Sequence, residues 1–398
     1  MQIYLDHSAT TPCRAEAIAA MQQVWQAQWG NPSSLHQWGQ RAATALEEAR
    51  VQVAGLIGAV PESLIFTSGG TEADNLALLG VAHQHSAPQH LIISSVEHSA
   101  ITNCAQWLAA QGWQITHLPV DRRGLVNPAD LQAKLQPNTV LVSIIYGQSE
   151  VGVLQPIEAL GQIARDHGAL FHTDAVQVAG RHPIDVSTLP VDLLSLSSHK
   201  LYGPQGAGAL YLRPGITIQP MLTGGGQEQG FRSGTPAVPT MVGFGAAAAL
   251  ATAELEEEIE RLKGLRDRLF SKLSTIPNLL PTGDLQQRLP HHLSFLVQPQ
   301  GNSSITGRAV VRQMDLAGIA ISAGSACNSG KLSPSPVLTA MGYTEAEATA
   351  GIRLTLGRNT TEAEVDWVAL VLPQILERLG EDHGVNNLHS FPSPQPSP

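Results

Sequence analysis

From Ser63 to about Leu212 the chain alternates short apolar runs with longer stretches of helical pattern. The runs are LIFTS, HLIISS, QITHLPV, VLVSIIY, ALFHTDAV, VDLLSLSS and GALYLR. Several are apolar on consecutive positions, which is how strands read when helices cover both faces of a sheet. The pattern predicts an α/β fold with a mainly parallel central sheet, in one large domain over residues 15–255. A helical pattern follows from about Phe244 to Leu273, with apolar residues three to four apart and charges between them. It is expected to lead out of the first domain. Beyond it, the strand-like HHLSFLV and GIAIS, a helix over SSITGRAVVRQMDLAG and a final helix from about Thr361 to Leu379 predict a smaller α+β domain. That domain takes in residues 256–384 and 1–14. The tail over residues 385–398 ends in HSFPSPQPSP, a Pro/Ser-rich composition expected to be disordered.

A length of 398 residues suits two domains. With 43% hydrophobic and 14% charged residues, the disordered, collagen-like and coiled-coil classes are excluded. Acidic residues outnumber basic ones, 33 to 23, so the summed field repels nucleic acid and anionic lipid, and neither is an expected partner. The most apolar stretch, Met241 to Ala253, is padded with Gly and Ala and stops at Glu254, so no membrane span is expected. MQIYLDHSATTP has no basic leader region and reaches Asp6 before any apolar run; a cytoplasmic location is expected. Cys13, Cys104 and Cys327 are far apart and form no CxxC pair, which argues against a disulfide framework or a zinc knuckle. His83/His85 and His291/His292 fall in polar or turn-like stretches and supply no convergent ligand set, so no metal is expected.

The lysines are Lys134, Lys200, Lys263, Lys272 and Lys331. Lys134, Lys263 and Lys272 read as solvated charges on amphipathic helices, and Lys331 lies in a Ser/Pro-rich loop. Lys200 follows the apolar run VDLLSLSS and precedes small and apolar residues. Burial there lowers an amine's pKa, and a neutral amine can act as nucleophile or base. Taken alone, the segment also fits a lysine snorkelling from a surface turn. Asp174 ends another apolar run, 26 positions earlier, where a carboxylate needs a cationic partner or hydrogen bonds. A pyridinium nitrogen would serve, as in pyridoxal phosphate chemistry; so would a role as a helix cap. In LIFTSGGTEADN, a strand runs through Gly69, Gly70 and Thr71 into a helix, an arrangement suited to phosphate but lacking the Walker A pattern. Cys327 stands in ISAGSACNSGKLSPSP, whose small residues and prolines predict a loop too thin to bury a thiol, which favours a nucleophilic cysteine.

YLDHSATTP, GNPSSLH, FTSGGTEADNLAL, VEHSA, HTDAVQ, SLSSHKLYGPQGAGALYLR, GGGQEQGFRSGT, SAGSACNS and IRLTLGR occur in order over residues 4–358. Together they resemble the cysteine desulfurases of the class V aminotransferase fold. The SAC-containing loop resembles the long-loop group, which supplies sulfur for iron–sulfur clusters and tRNA thiolation. The resemblance implies a fold type I, aspartate aminotransferase-like homodimer with pyridoxal 5′-phosphate (PLP) as cofactor and L-cysteine as substrate. A sulfur-acceptor protein such as an iron–sulfur scaffold is implied as partner, and a selenocysteine lyase is the neighbouring alternative.

By position, the resemblance makes Lys200 the cofactor-bearing lysine and Asp174 the partner of the pyridine nitrogen. It assigns Gln177 to the phenolic oxygen and His98 to the ring face, with His98 also a catalytic candidate for activating the Cys327 thiol. Gly70, Thr71, Ser197 and His199 match the phosphate cradle, and Thr235 the residue that reaches the neighbouring subunit's phosphate. Arg353 matches the clamp on the substrate carboxylate, Asn31 a helper beside it, and Cys327 the persulfide carrier. The chain departs from the usual Asn-Asn-Glu at Gln148, Ser149 and Glu150, with Gln148 expected to contact cofactor and substrate. Ser198 replaces a commoner Gly. The C-terminal tail does not match the segment with which long-loop relatives grip their scaffold.

Overall fold

The computed structural model describes residues 2–298, 305–324 and 333–381. Cys327, Lys331 and the Pro/Ser-rich tail lie outside the described residues. The chain begins with a short strand, β1 (Ile3–Tyr4), and two helices, α1 (Ala15–Ala27) and α2 (Gln37–Gly55). The apolar runs then form alternating strands and helices: β2 (Leu64–Thr67), α3 (Gly70–Ala82), β3 (His90–Ser94), α4 (Ser99–Ala110), β4 (Gln114–Leu118), α5 (Pro128–Lys134), β5 (Thr139–Ser143), α6 (Ile157–His167) and β6 (Leu170–Asp174). β7 (Leu193–Ser197) and β8 (Gly208–Leu212) complete a seven-stranded sheet of order β2-β8-β7-β6-β5-β3-β4. β8 alone runs against the others, pairing antiparallel with β2 and β7, so the sheet is mainly parallel as the pattern predicts.

Consecutive residues of these strands feed opposite faces. Phe66, Ile92, Val142 and Leu194 enter a core on one side of the sheet, while Ile65, Leu91, Leu141 and Leu193 enter a second core on the other. Each such side chain contributes about 1.5–3 kcal/mol by leaving water. At the free edge of β2, the Phe66 N–H donates to Glu228 Oε2 at 2.7 Å. Arg50 pairs with the same carboxylate at 2.7 Å. This strap covers a backbone edge that would otherwise be open to a stray strand.

A 36-residue helix, α7 (Val238–Leu273), connects the two halves. It starts earlier than the apolar pattern suggests because Pro239 fits the first turn of a helix without losing a hydrogen bond. Contrary to expectation, α7 is long and apolar enough to meet the length and composition of a membrane span. Met241, Phe244 and Ala247 are buried in the large core, however, and Leu262, Leu265 and Leu269 in a separate one. That is the behaviour of a core helix.

The second half contains β9 (Leu279–Pro281), β10 (His292–Val297), α8 (Gly307–Leu316), β11 (Ile319–Ala320), β12 (Ser322–Ala323), α9 (Pro336–Ala340), α10 (Glu345–Ala348), β13 (Gly351–Thr355) and α11 (Glu362–Glu381). Its main sheet has the order β12-β13-β10-β9 and is antiparallel throughout. GIAIS does not form one strand. β11 pairs with β1, whereas β12 joins β13, the chain changing sheets at Ile321. Through β1, Ile3 and Leu5 enter the second core, and the segment that follows them runs toward the large sheet.

Candidate active site

β6 and β7 are parallel neighbours with Asp174 opposite Ser195. Their carboxyl ends therefore deliver Asp174 and the Ser198–Lys200 turn to the same rim of the sheet, where open α/β sheets bind ligands. Asp174 is 5% exposed, and its Oδ1 accepts the Val176 N–H at 2.9 Å. Burial pushes its pKa up, while the charges of His98 and Lys200 and the Val176 hydrogen bond pull it back. Lys200 Nζ donates to the Ser8 carbonyl at 2.5 Å and the Ala9 carbonyl at 2.8 Å. Burial first, then the nearby Arg181 and Arg353 charges, lower its pKa to about 8, against the opposing pull of Asp174 and Asp6. The lysine does not snorkel. Two positions later, Tyr202 adopts φ +67°, a left-handed conformation that costs an L-residue roughly 1–2 kcal/mol. Its N–H to Thr11 Oγ1 at 2.8 Å, and its hydroxyl accepting the Arg358 N–H at 2.7 Å, hold it there.

Gly70 opens α3 behind Gly69, with no side-chain cap at the helix start. The first N–H groups of α3 are thus available to an anion. A Cβ on Gly70 would lie 2.7 Å from Val176 Cγ2 and 3.5 Å from Ser197 Cβ, so only glycine permits this approach of the α3 start to the ends of β6 and β7. Thr71 is exposed beside it and Ser197 is buried. His199 Nδ1 lies 3.1 Å from Thr10 Oγ1, and burial with the Lys200 charge lowers its pKa to about 4. Gln177 Nε2 donates to the Ser8 carbonyl at 2.9 Å, and Gln177 Oε1 accepts from Arg181 at 3.1 Å. His98 caps α4 through Nδ1, which accepts the Ala100 N–H at 3.2 Å. In the neutral ring this fixes the proton on Nε2, making His98 a donor there; it is not arranged to take a proton at that atom. A buried carboxylate, an amine of lowered pKa and an uncapped helix start with no side chain in the way fit PLP.

Beneath Asp174 lie two further acids. Asp74, on α3, is raised well above the usual carboxylate range by burial and by the Asp174 charge. Glu97 is pushed up to about 8 by burial, despite hydrogen bonds from Ser94 and the Ile145 N–H. Glu97 is therefore mainly protonated at neutral pH, and burial with the Asp174 charge favours the protonated form of Asp74 too. His172, 3.8 Å from Asp74, is lowered to about 3 by burial and stays neutral.

Arg353, on β13, pairs with Asp6 Oδ1 at 2.6 Å and donates to the Ser149 carbonyl at 3.0 Å, while its buried Nε has no partner among the described residues. Gln148 differs from expectation. Its Oε1 accepts the Glu150 and Val151 N–H groups at 2.5 and 3.0 Å, and its Nε2 donates to the Val96 carbonyl at 3.2 Å. The longer side chain folds onto its own turn and does not present an amide to cofactor or substrate. Asn31 is exposed and accepts the Ser33 N–H at 3.0 Å in the α1–α2 turn. Thr235 is also exposed, on a loop held by the 2.8 Å Arg232–Glu72 pair. Among the described residues, no hydrogen bond joins either of them to the Lys200 cluster. Cys104 is buried with its thiol pushed up to about 12, and burial also raises Cys13, so neither supplies a thiolate.

Several residues of the site escape sequence reasoning. Asp6 carries the pair to Arg353; Ser8 and Ala9 hold Lys200 by their carbonyls; Arg181 is 5% exposed with its pKa lowered to about 10 by burial. The signal for Asp6 was present, an acid directly after an apolar strand, but its partner is remote in sequence. His291 lies in the turn before β10 and His292 opens β10, so the stretch is turn-like but not polar in its surroundings. Both are fully buried, with His291 3.3 Å from Ser8 Oγ and His292 3.1 Å from the Ser149 carbonyl. Among the described residues no group of three or more His, Cys, Asp or Glu could hold a metal.

The model of the class-V aminotransferase family matches residues 3–368. The cysteine desulfurase IscS of Dictyoglomus turgidum is 43% identical over 380 residues, covering 95% of both chains. Among solved structures, a NifS-like protein superposes with a TM-score of 0.88 at 34% identity, covering 95% of this chain and 100% of its own. The protein SspA, solved in complex with cysteine, gives a TM-score of 0.78 at 33% identity over 89% of this chain and 99% of its own. The chain belongs to the class-V aminotransferase family, among its cysteine desulfurases.

Proposed function

We propose that the protein is a PLP-dependent cysteine desulfurase that converts L-cysteine to L-alanine and keeps the sulfur as a persulfide on Cys327. The observation that carries this reading is the meeting of the Lys200 amine, lowered to about 8, with the buried Asp174 at the ends of adjacent strands. When bound, PLP supplies an electrophilic carbon for the substrate amine and an electron-withdrawing ring that stabilises charge at Cα.

In this reading Lys200 holds the cofactor and, once free, moves the Cα proton through Nζ. Asp174 holds the ring nitrogen, Gln177 the phenolic oxygen and His98 the ring face. Gly70, Thr71, Ser197 and His199 take the phosphate. Arg353 receives the substrate carboxylate in place of Asp6, as a guanidinium fork can, with Asn31 beside it. His98 offers its Nε2–H as a hydrogen-bond donor at the ring face. The Cys327 thiolate forms an S–S bond to the substrate sulfur as the C–S bond breaks; the bond's electron pair passes to the substrate carbon, which takes up a proton. The products are L-alanine and the Cys327 persulfide.

Two copies are inferred to pair as a homodimer. Supporting this, Thr71, Ser99 and Trp107 line an open groove of about 480 Å³ on α3 and α4, and Thr235 stands exposed to reach a neighbour. A sulfur-acceptor protein, such as an iron–sulfur scaffold, and a cytoplasmic location complete the reading; free Cys13 and Cys104 suit a reducing compartment. The test is Cys327→Ala: PLP absorbance is expected to stay intact while persulfide and alanine formation from cysteine cease. Retained desulfuration would refute the role of Cys327.

A further inference from the structure

The turn that follows β6 carries Gln177 and, four residues on, Arg181. Arg181 Nη1 donates to Gln177 Oε1 at 3.1 Å, and its Nη2 donates to the His7 carbonyl at 3.0 Å. A guanidinium has donors only, so the Gln177 atom facing it is the amide oxygen. The amide nitrogen is thereby turned to the Ser8 carbonyl, to which it donates at 2.9 Å. That carbonyl also holds Lys200 Nζ, and the Ala9 carbonyl takes the amine's second bond at 2.8 Å. Three consecutive carbonyls, those of His7, Ser8 and Ala9, thus receive Arg181, Gln177 and Lys200 in turn. Arg181 is buried, yet both groups it bonds are neutral. A buried guanidinium is ordinarily paired with a carboxylate. Among the described residues none pairs with it: Glu258 on α7, whose charge reaches it, is taken by Arg261 at 2.7 Å, and Asp6 is taken by Arg353 at 2.6 Å. The chemistry assigned to Lys200 and Asp174 leaves this charge unexplained.

We propose that Arg181 is a positioning residue for cofactor capture: its fork holds the Gln177 amide with the nitrogen on the Lys200 side, and its unpaired charge opposes a second positive charge on Lys200. The proposal rests on the reading of Lys200 and Gln177 as groups that hold the cofactor. The charged groups that act on Lys200 are Arg181, Arg353 on β13, Asp174 on β6 and Asp6 after β1. Burial and the two guanidinium groups lower its pKa to about 8, and the two acids oppose them. Burial keeps His199 beside Lys200 neutral, as it does His7 and His291, on both of which Arg181 also acts. Tyr202, on the turn after Lys200, has its pKa raised by burial and stays protonated. Arg181 and Arg353 are therefore the fixed positive charges of this group, since a guanidinium does not titrate in the working range. Arg353 is committed to Asp6, whereas Arg181 has no acid to offset it. Without the Arg181 charge, Lys200 would keep its proton to higher pH. Without the fork, the Gln177 amide would be free to turn its oxygen toward a phenolic oxygen that needs a donor.

The test compares Arg181→Gln and Arg181→Lys in the full chain freed of PLP, following the reaction of Lys200 with acetic anhydride against pH by peptide mass. Arg181→Gln removes the charge, and the labelling midpoint is expected to rise by about 1 pH unit. Arg181→Lys keeps the charge and loses the fork. Its midpoint is expected to stay in place, while PLP, titrated back by absorbance, binds about 5- to 10-fold more weakly. A merely structural role would move the midpoint of both variants together. In a Gln177→Met background the effect of Arg181→Lys on PLP binding is expected to vanish, because the amide it orients is gone. An unmoved midpoint in Arg181→Gln, or wild-type PLP affinity in Arg181→Lys, would overturn the proposal. If Arg181→Gln fails to fold, a raised midpoint in Arg181→Lys would overturn it as well. Should Gln177→Met alone bind PLP as tightly as wild type, the assignment of Gln177 to the cofactor fails, and the labelling midpoint, measured without PLP, still decides the role of the Arg181 charge.

Discussion

The Lys200–Asp174 centre and the Arg353 site both keep charge away from water, but in opposite ways. At the ends of β6 and β7 the partners are incomplete. Among the described residues Asp174 has one side-chain hydrogen bond, from the Val176 N–H, and a raised pKa, and Lys200 leans on two carbonyls with its pKa lowered to about 8. Arg353, in the middle of an antiparallel strand, is paired with Asp6 and bonded to Ser149. The first site is short of partners that a ligand can supply, whereas the second stores its cation in an ion pair until a substrate carboxylate exchanges with Asp6. Parallel strand ends leave backbone and side-chain groups open, while a strand paired on both sides fixes its neighbours tightly. The difference separates the chemistry from the grip.

The sharpest way to break this contrast is Asp174→Asn. Breaking a buried charge pair costs roughly 3–5 kcal/mol, and the expected result is a loss of roughly 100- to 5,000-fold in kcat with a cofactor that still binds. No helix follows β6, so near-normal turnover would show that Asp174 serves only as the turn's acceptor for the Val176 N–H. Next comes Arg353→Lys, which keeps charge and loses the fork; losing one charge-assisted hydrogen bond of about 1.5–3 kcal/mol should raise KM for cysteine roughly 10- to 150-fold with a smaller change in kcat. The smallest effect is expected at Ser198, whose buried hydroxyl has no partner among the described residues and sits where a Cβ on Gly203 would lie 2.1 Å away. Ser198→Ala should raise stability by about 1 kcal/mol, measured as a higher thermal midpoint, with turnover unaltered; a lower midpoint would mean that the hydroxyl is satisfied in solution.

The large sheet was legible because strands buried on both faces write continuous apolar runs, and Lys200 and Asp174 stood out as charges at the ends of such runs. The small half was less so. β1 and β11 have two residues each, too few for periodicity, and GIAIS carries no mark of the sheet change at Ile321. The partners of the site residues were hidden for another reason: Lys200 meets Ser8 across 192 positions and Arg353 meets Asp6 across 347. No local pattern encodes such a pair.

Everything turns on Lys200 as the amine that carries the cofactor next to Asp174. Borohydride reduction of the PLP-loaded protein, followed by peptide mass mapping, addresses this directly. The expected product is a single pyridoxyl modification on the peptide containing Lys200. A modification on Lys134, Lys263, Lys272 or Lys331, or none at all, would contradict the account.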